Sequence, residues 1–400
     1  MSSPRGLAPE GVRREILKMA RWLVQLRRDL HRHPELMFQE RRTARVIAQR
    51  LRACGLEVRA GVGGTGVVGL WRGRRDGPVL GIRAEMDALP IDEERGRPHG
   101  SVSPGLMHAC GHDAHMAMAL GAARYLSGRG ADLGGAVKFI FQPAEEGGAG
   151  GLRMIREGVL EDPVVDRVLA LHVLPTLPPG GFGFTEGPAQ ASVDDFVIRL
   201  VGRGSHAAYP QRARNPIVAA CSLIPALHAM TDHSTEPAKA LVVSVTRFEA
   251  GSAFNVIPER AELWGTLRAL DEGVRARARE EIQRVAQQAL QGHGVHAEVE
   301  IRRGYPVLRS DPRVLCSVRE VARSLVGGGG VVELPPSMGA EDFAYFLERC
   351  PGAYLKLGCG KGDAGEPPML HTPQFDLDEG ILPLGVEFWV RCAEAFLGGT

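Results

Sequence analysis

Between Arg13 and His31 the apolar residues Ile16, Ala20, Leu23, Val24 and Leu30 recur at helical spacing, and a second helix is expected over Thr43–Cys54. Short β-rich runs follow at Thr65–Trp71 and Val79–Ala84. After a Gly- and His-rich loop, the small residues of Ala114–Leu126 suit a helix packed closely on its neighbours. Ala136–Gln142 reads as a buried strand, Gly151–Glu157 as a short helix and Asp166–Val173 as another strand. Strands alternating with helices predict a mostly parallel sheet with helices on its faces.

The pattern changes near Ser192. Val193–Val201 predicts a strand, Pro216–Met230 a helix, Leu241–Glu249 and Asn255–Leu270 two strands, Glu272–Leu290 a long charged helix, and Val295–Arg302 a last strand. That β-α-β-β-α-β order is the split βαβ, ferredoxin-like sandwich, complete in itself. After Tyr305 the first style resumes, with helices near Arg313–Leu325, Glu341–Leu347 and Gly380–Phe396 and a strand at Ala353–Leu357. The expected fold class is α/β: an α/β/α domain with a mostly parallel mixed sheet, interrupted by an inserted ferredoxin-like domain. The expected boundaries are 1–191 and 306–400 for the first, and 192–305 for the second.

Composition removes several function classes. Lys and Arg number 48 against 47 Asp and Glu, so the formal net charge of +1 gives no electrostatic case for nucleic acid or an acidic membrane surface. No stretch approaches the roughly 18 apolar residues of a membrane helix. The first residues lack the apolar core of a secretion signal. Seven scattered cysteines are too few for a disulfide framework, and an odd count leaves at least one thiol free. A reduced, soluble, cytoplasmic protein is expected.

In open α/β sheets, ligands bind beyond the carboxyl ends of the strands. Glu85-Met86-Asp87 follows one predicted strand, Pro143-Ala144-Glu145-Glu146 follows the next, and His172 ends a third. The loop Met107–His115 adds His108, Cys110, His112, Asp113 and His115 just before a helix, and His371 follows the last strand. Cys, His and Glu together are the donor set of a zinc- or manganese-type site. More than four good donors suit two ions rather than one, and ions about 3.5–4 Å apart serve hydrolysis. Taken singly these signals are weak: a Cys-Gly-His triplet is usually incidental, a Glu pair is usually solvated surface, and a His flanked by Leu171 and Val173 usually packs in a core. Their convergence on one sheet edge carries the inference.

Nine segments resemble, in order and from about residue 12 to 397, the M20 metallopeptidase/amidohydrolase family, in the branch of hippurate hydrolase and the IAA-amino acid (auxin-conjugate) amidohydrolases. They are DLHRHPELMFQE (29–40), RAEMDALPIDE (83–93), MHACGHDAHMAMALGAA (107–123), FQPAEEGGAGG (141–151), HVLPTLPPG (172–180), GRGSHAAYP (202–210), FNVIPERAELWGTLR (254–268), MGAEDFAYF (338–346) and LHTPQFD (370–376). The resemblance implies two divalent ions, zinc or manganese with nickel and cobalt also compatible, held by Cys110, His112, Glu146, His172 and His371. Cys110 stands where other branches place a bridging carboxylate. Glu145 matches the family's general base and Asp87 its ligand-orienting aspartate. His206 matches a histidine that stabilises the oxyanion, often from the partner subunit. Asn255, Arg268 and Glu341 are the candidates for holding substrate. Each also has a plain structural reading: a strand residue beside a Pro turn, a surface Arg, and a helix-capping acid. Glu85 departs from the family, whose members usually have Asp there.

The implied activity is metal-dependent hydrolysis of the amide in an N-acyl amino acid (hippurate-like, N-acetyl or indole-acyl), with Glu145 as base. The alternatives are an aminoacylase-like carboxypeptidase or dipeptidase, and a non-catalytic homologue that binds acyl amino acids. A homodimer through the inserted domain is the family precedent. His31 and His33 are expected to cap or pack, His108 and His115 lie off the ligand positions, and the remaining cysteines are expected to pack as small apolar residues.

Overall fold

A computed structural model describes residues 11–129, 133–231, 240–360 and 367–398. The opening segment read above for a secretion signal lies outside the described residues. The chain divides into two compact units. The first runs to Gly187 and includes Arg309–Leu334 and the chain from Tyr345; the second comprises Pro188–Leu308 and Pro335–Ala344.

The first unit is built on an eight-stranded sheet in the order Glu57–Val62, Gly66–Arg72, Gly134–Gln142, Arg75–Glu85, Arg167–Leu174, Gly352–Gly358, Phe182–Phe184 and Val331–Glu333. The four central strands, Gly134–Gln142 through Gly352–Gly358, run parallel, whereas Glu57–Val62, Gly66–Arg72 and Phe182–Phe184 join by antiparallel pairings. Strand Glu57–Val62 gave no sequence signal because it lies on the sheet edge with all but one of its residues at least partly exposed, so no apolar alternation marks it. The central strands are the reverse: Gly134–Gln142 is buried throughout, which is why it reads as an apolar run interrupted only by Lys138 before Gln142 ends it.

Helix His112–Arg129 packs against Leu382–Leu397, and glycine permits the approach: a Cβ on Gly121 would stand 2.5 Å from Val386 Cγ2. The first expected helix is two, Arg14–Leu17 and Ala20–Arg32, because the Met19 N–H bonds Ile16 O three residues back and tightens the turn between them. The short helix expected from Glu341 begins only at Ala344. Among the described residues no helix is long and apolar enough to cross a membrane.

A buried ion network lies behind the first unit's His-rich loop. The Arg27 guanidinium, fully buried, donates from Nε to Asp113 Oδ2 at 2.7 Å, and His31 Nδ1 meets the same oxygen at 2.8 Å while its Nε2 reaches Glu93 at 3.1 Å. His31 therefore packs, but within a polar network; His33 caps, donating from Nδ1 to Asp29 O at 2.8 Å. Burial pushes the Asp113 carboxyl up, but Arg27 first and His31 next hold it well below the ordinary carboxylate range. Its stabilisation is thus complete above about pH 4 and lost only as pH falls through that depressed value. Asp113→Ala is expected to cost about 3 kcal/mol in urea unfolding, at the low end for a broken buried pair because Asp376 and Glu379 remain near Arg27. A cost under about 1 kcal/mol would show that Arg27 needs no partner there.

The second unit is a four-stranded antiparallel sheet ordered Leu241–Ala250, Arg260–Ala269, Ser192–Val201, His296–Arg303, covered by helices Pro216–His228 and Glu272–Ala289. Asn215 and Asp271 cap those helices, each accepting a backbone N–H from the first turn. Phe196, Ile198, Leu200, Leu223, Leu263, Leu267 and Ile282 form its core. The expected single strand from Asn255 is broken at Pro258, which has no N–H to donate. Its first part, Val256–Ile257, pairs with Ser205–His206 instead.

Candidate active site

Successive central strands place their crossovers on opposite sides of Arg75–Glu85, with Gly134–Gln142 to one side and Arg167–Leu174 to the other. The loops leaving their carboxyl ends diverge there, the place at which open α/β sheets bind ligands. Asp87, the Glu145–Glu146 loop and His172 all reach this edge from the three strands.

Cys110 and His112 flank Gly111, whose φ of +83° is left-handed and whose Cβ, if present, would stand 2.5 Å from Val173 Cγ2. Glycine is required at that position for both reasons, and the bend directs its two neighbours inward. His371 is held by its own backbone, its N–H donating to Ala109 O at 2.9 Å, and its φ of +63° is a strained value for a non-glycine residue.

The five residues implied as ligands converge. Cys110 Sγ lies 3.4 Å from His172 Nε2 and 3.3 Å from His371 Nε2, and His371 Nε2 lies 3.2 Å from a Glu146 oxygen. Donor atoms of Cys110, His112 and His172 lie within 4.8 Å of one another, and so do those of Cys110, Glu146 and His371. Cys110 belongs to both groups. Glu145 joins His112 and Glu146 in a third.

Hydrogen bonds outside these groups set the tautomers. His112 Nδ1 donates to Asp87 O at 2.9 Å, and His172 Nδ1 donates to Val173 O at 2.8 Å. Each imidazole therefore presents Nε2 to the site with its lone pair available. His112 Nε2 is buried and has no hydrogen-bond partner among the described residues. A buried orphan nitrogen beside a thiol, a carboxylate and two further imidazoles fits a metal ion and fits little else. Asp87 also accepts the Glu146 N–H at Oδ2, 2.9 Å away, and so orients two of the five.

The electrostatics agree. His371 is pushed up to about 10 by its hydrogen bonds to Cys110 and Glu146. His112 is also raised, its burial outweighed by Cys110 and Asp87. Burial raises the Cys110 thiol and lowers His172. A field that draws protons onto two imidazoles is one that favours a cation.

His115 and Glu85 stand beside this cluster, and with His112 they bring donors equally close together. Both His115 nitrogens are committed, however: Nε2 accepts the Val173 N–H at 3.0 Å and Nδ1 donates to Glu85 Oε2 at 2.8 Å. Glu85 also pairs with the buried Arg83. Its added methylene thus serves a buried bridge from Arg83 to His115. His108 is buried with neither ring nitrogen bonded, and burial pushes it down to about 3, so it is a neutral packed imidazole.

In the second unit, His206 is exposed and its Nδ1 accepts the Ala208 N–H at 3.1 Å, which leaves Nε2 as the N–H donor. Asn255 is exposed and its carbonyl accepts the Ala207 N–H, so these two residues are neighbours across the Val256–His206 pairing. Arg268 is not a free surface cation: its Nη1 donates to Met338 O at 2.9 Å. Glu341 is buried and accepts the Phe343 N–H at 3.0 Å, a local capping bond. Cys221 and Cys316 are exposed, contrary to the expectation that all other cysteines pack inside; both sit on helices, whose outer faces the apolar pattern did not separate.

Sequence reasoning assigned no role to Glu40, although it closes the HPELMFQE segment. Its signal was an acidic residue placed where a helix begins, which is ordinarily surface. The structure buries it completely.

Known proteins resemble this chain over nearly its whole length. A thermostable carboxypeptidase 2 of Saccharolobus solfataricus is 38% identical over 381 residues, 94% of this chain and 95% of its own. An N-acetylcysteine deacetylase of Bacillus subtilis is 39% identical over 372 residues, 93% and 96%. The crystal structure of the Bacillus subtilis YXEP protein, described as a dinuclear metal binding peptidase from the M20 family, superposes with a TM-score of 0.82 at 37% identity, covering 96% of this chain and all of that one. The model of peptidase family M20/M25/M40 matches residues 81–395. With both the donor cluster and the sheet edge that builds it inside that span, the chain belongs to peptidase family M20/M25/M40.

Proposed function

We propose that this protein is a metal-dependent amidohydrolase that cleaves the amide of N-acyl amino acids, releasing a carboxylic acid and a free amino acid. The observation that carries this reading is the pair of three-donor groups sharing Cys110 Sγ, with Glu145 beside them. In it Cys110, His112, Glu146, His172 and His371 would hold two divalent ions, with zinc and manganese the first choices and nickel and cobalt compatible with the same donors. Such ions, when bound, polarise the scissile carbonyl and lower the pKa of a water molecule toward neutrality.

The chain's own residues do the rest. Glu145 takes the proton released as water attacks and passes it to the leaving nitrogen. Asp87 keeps His112 and Glu146 in place through the two bonds described above. His206 donates from Nε2 to the oxyanion, Asn255 and Arg268 hold the substrate's amino-acid carboxylate, and Glu341 lies on the substrate side, Arg268 being free to bind only if it releases Met338 O. The inserted unit serves as lid and as homodimer contact. Phe248, Phe254, Val256 and Val218 are exposed large apolar residues on it, and Leu241–Ala250 is an open sheet edge, features that favour burial against a second copy. Seven free cysteines fit a reducing cytoplasm.

Acylamino acids and peptides differ at the acyl side, where a free dipeptide carries an ammonium group. Protein loaded separately with manganese, zinc, cobalt and nickel is expected to hydrolyse N-benzoyl-glycine and N-acetyl amino acids faster than free dipeptides. Preferred turnover of free dipeptides would favour the carboxypeptidase reading that the Saccharolobus solfataricus relative supports. No turnover across the panel with metal bound would favour a binding protein.

A further inference from the structure

Glu40 is completely buried at the start of helix Arg41–Ala53, yet its side chain does not cap that helix. It turns away to the Glu145 loop. Its Oε1 accepts the Ala144 N–H at 2.9 Å, and its Oε2 accepts the Thr65 hydroxyl. Ala144 has a φ of +53°, a left-handed value costly for any residue with a side chain. The bend is crowded: a Cβ on Gly148 would stand 2.6 Å from Ala144 Cβ, and one on Gly150 1.8 Å from Pro143 O. Something must hold Ala144 in that conformation, and the amide on each side of Glu145 is held by a carboxylate. Asp87 takes the N–H of Glu146 and Glu40 takes the N–H of Ala144. The preceding residues brace the same edge, since Glu35 O accepts the Ala88 N–H at 2.9 Å, next to Asp87.

We propose that Glu40 is a positioning residue for Glu145: its buried carboxyl clamps the left-handed Ala144 and so aims the base without touching substrate or metal. Burial of a carboxyl is unfavourable for its ionised form, and the Glu40 carboxyl is pushed up accordingly, so the chain retains a buried acid here at a cost to stability. Gln keeps an acceptor for Ala144 and gives Thr65 Oγ1 a donor in exchange, whereas Ala removes both contacts.

The inference rests on Glu145 being the base. Its test compares wild type, Glu40→Ala and Glu40→Gln by steady-state kinetics on an N-acyl amino acid, by bound metal per chain, and by amide hydrogen exchange of residues 143–149. In Glu40→Ala, kcat is expected to fall about 10- to 100-fold, the scale of a misaimed catalytic group, with KM and metal content unchanged. Exchange at Ala144 and Glu146 is expected to accelerate, and Glu40→Gln to restore both readouts. Unchanged exchange at 143–149, a loss confined to KM or metal content, or a Gln variant as impaired as Ala would each overturn the proposal. Should Glu40→Ala fail to fold, Glu40→Asp, one methylene too short to reach Ala144, is judged by the same criteria. A wild type that hydrolyses no substrate would sink the functional reading alone, since the exchange comparison still decides whether Glu40 clamps the loop.

Discussion

Glu145→Gln is expected to lower kcat on an N-acyl amino acid by about 10²- to 10⁴-fold, the usual contribution of a general base. At 1.36 kcal/mol per tenfold, that is about 3–5 kcal/mol of the barrier. Glutamine keeps the size and hydrogen-bonding shape of the side chain but cannot take a proton. Glu145 is nearly buried beside His112 and Glu146, so a carboxamide fits the same space. Metal content, measured by plasma emission on dialysed protein, should stay at the wild-type level. Retained activity would remove Glu145 as the base. Lost metal would exchange the roles of Glu145 and Glu146, which are adjacent and are told apart by the approach of Glu146 to His371 and by the bond of its N–H to Asp87.

Cys110→Ala should empty the site. Cys110 Sγ is the one donor common to both three-residue groups, 3.4 Å from His172 Nε2 and 3.3 Å from His371 Nε2. Removing an outer partner of a metal ligand typically weakens metal binding about 10- to 100-fold. Loss of the sulfur common to both donor groups is expected to exceed that range, and activity is expected to fall with it. Cys110→Ser, which leaves a harder and less readily ionised donor, should lie between. Two ions retained in Cys110→Ala would take the thiol out of the ligand set. Alanine is small enough to occupy the buried position, so an unchanged thermal midpoint in the metal-free state separates lost ligation from lost folding.

Much of the fold was legible. The central strands of the first unit are buried on both faces, so Ala136–Phe141 is apolar but for Lys138, whose ammonium reaches the Val159, Glu161 and Pro163 carbonyls, and could be read as a buried strand. The second unit buries one face of its two central strands, Ser192–Val201 and Arg260–Ala269, and one stripe of each helix, and the alternation and helical periods in the sequence follow directly. What could not be read was structure without such a constraint. The edge strand Glu57–Val62 is largely exposed, and its pairing is made by backbone groups common to every sequence. The Val256–Ile257 pairing with Ser205–His206 escapes for the same reason.

The candidate site divides along similar lines. Donor chemistry belongs to side-chain type, so the sequence alone identified Cys110, His112, Glu146, His172 and His371 as residues capable of ligation, and strand order alone brought them to one edge. The family resemblance then selected these five from a larger pool. Which nitrogen of each imidazole faces inward was fixed only by tertiary contacts, Asp87 O for His112 and Val173 O for His172. The same holds for His115, which has the right chemistry and position yet spends both nitrogens on Val173 and Glu85. Glu40 is the clearest case. In the sequence it is an acid at a helix start, and its carboxyl finds Ala144 only because a segment 104 residues away folds against it. A residue's chemistry is a property of its own atoms and is written in the sequence. Its proton, its lone pair and its partner are set by neighbours distant along the chain, and those the tertiary structure alone decides.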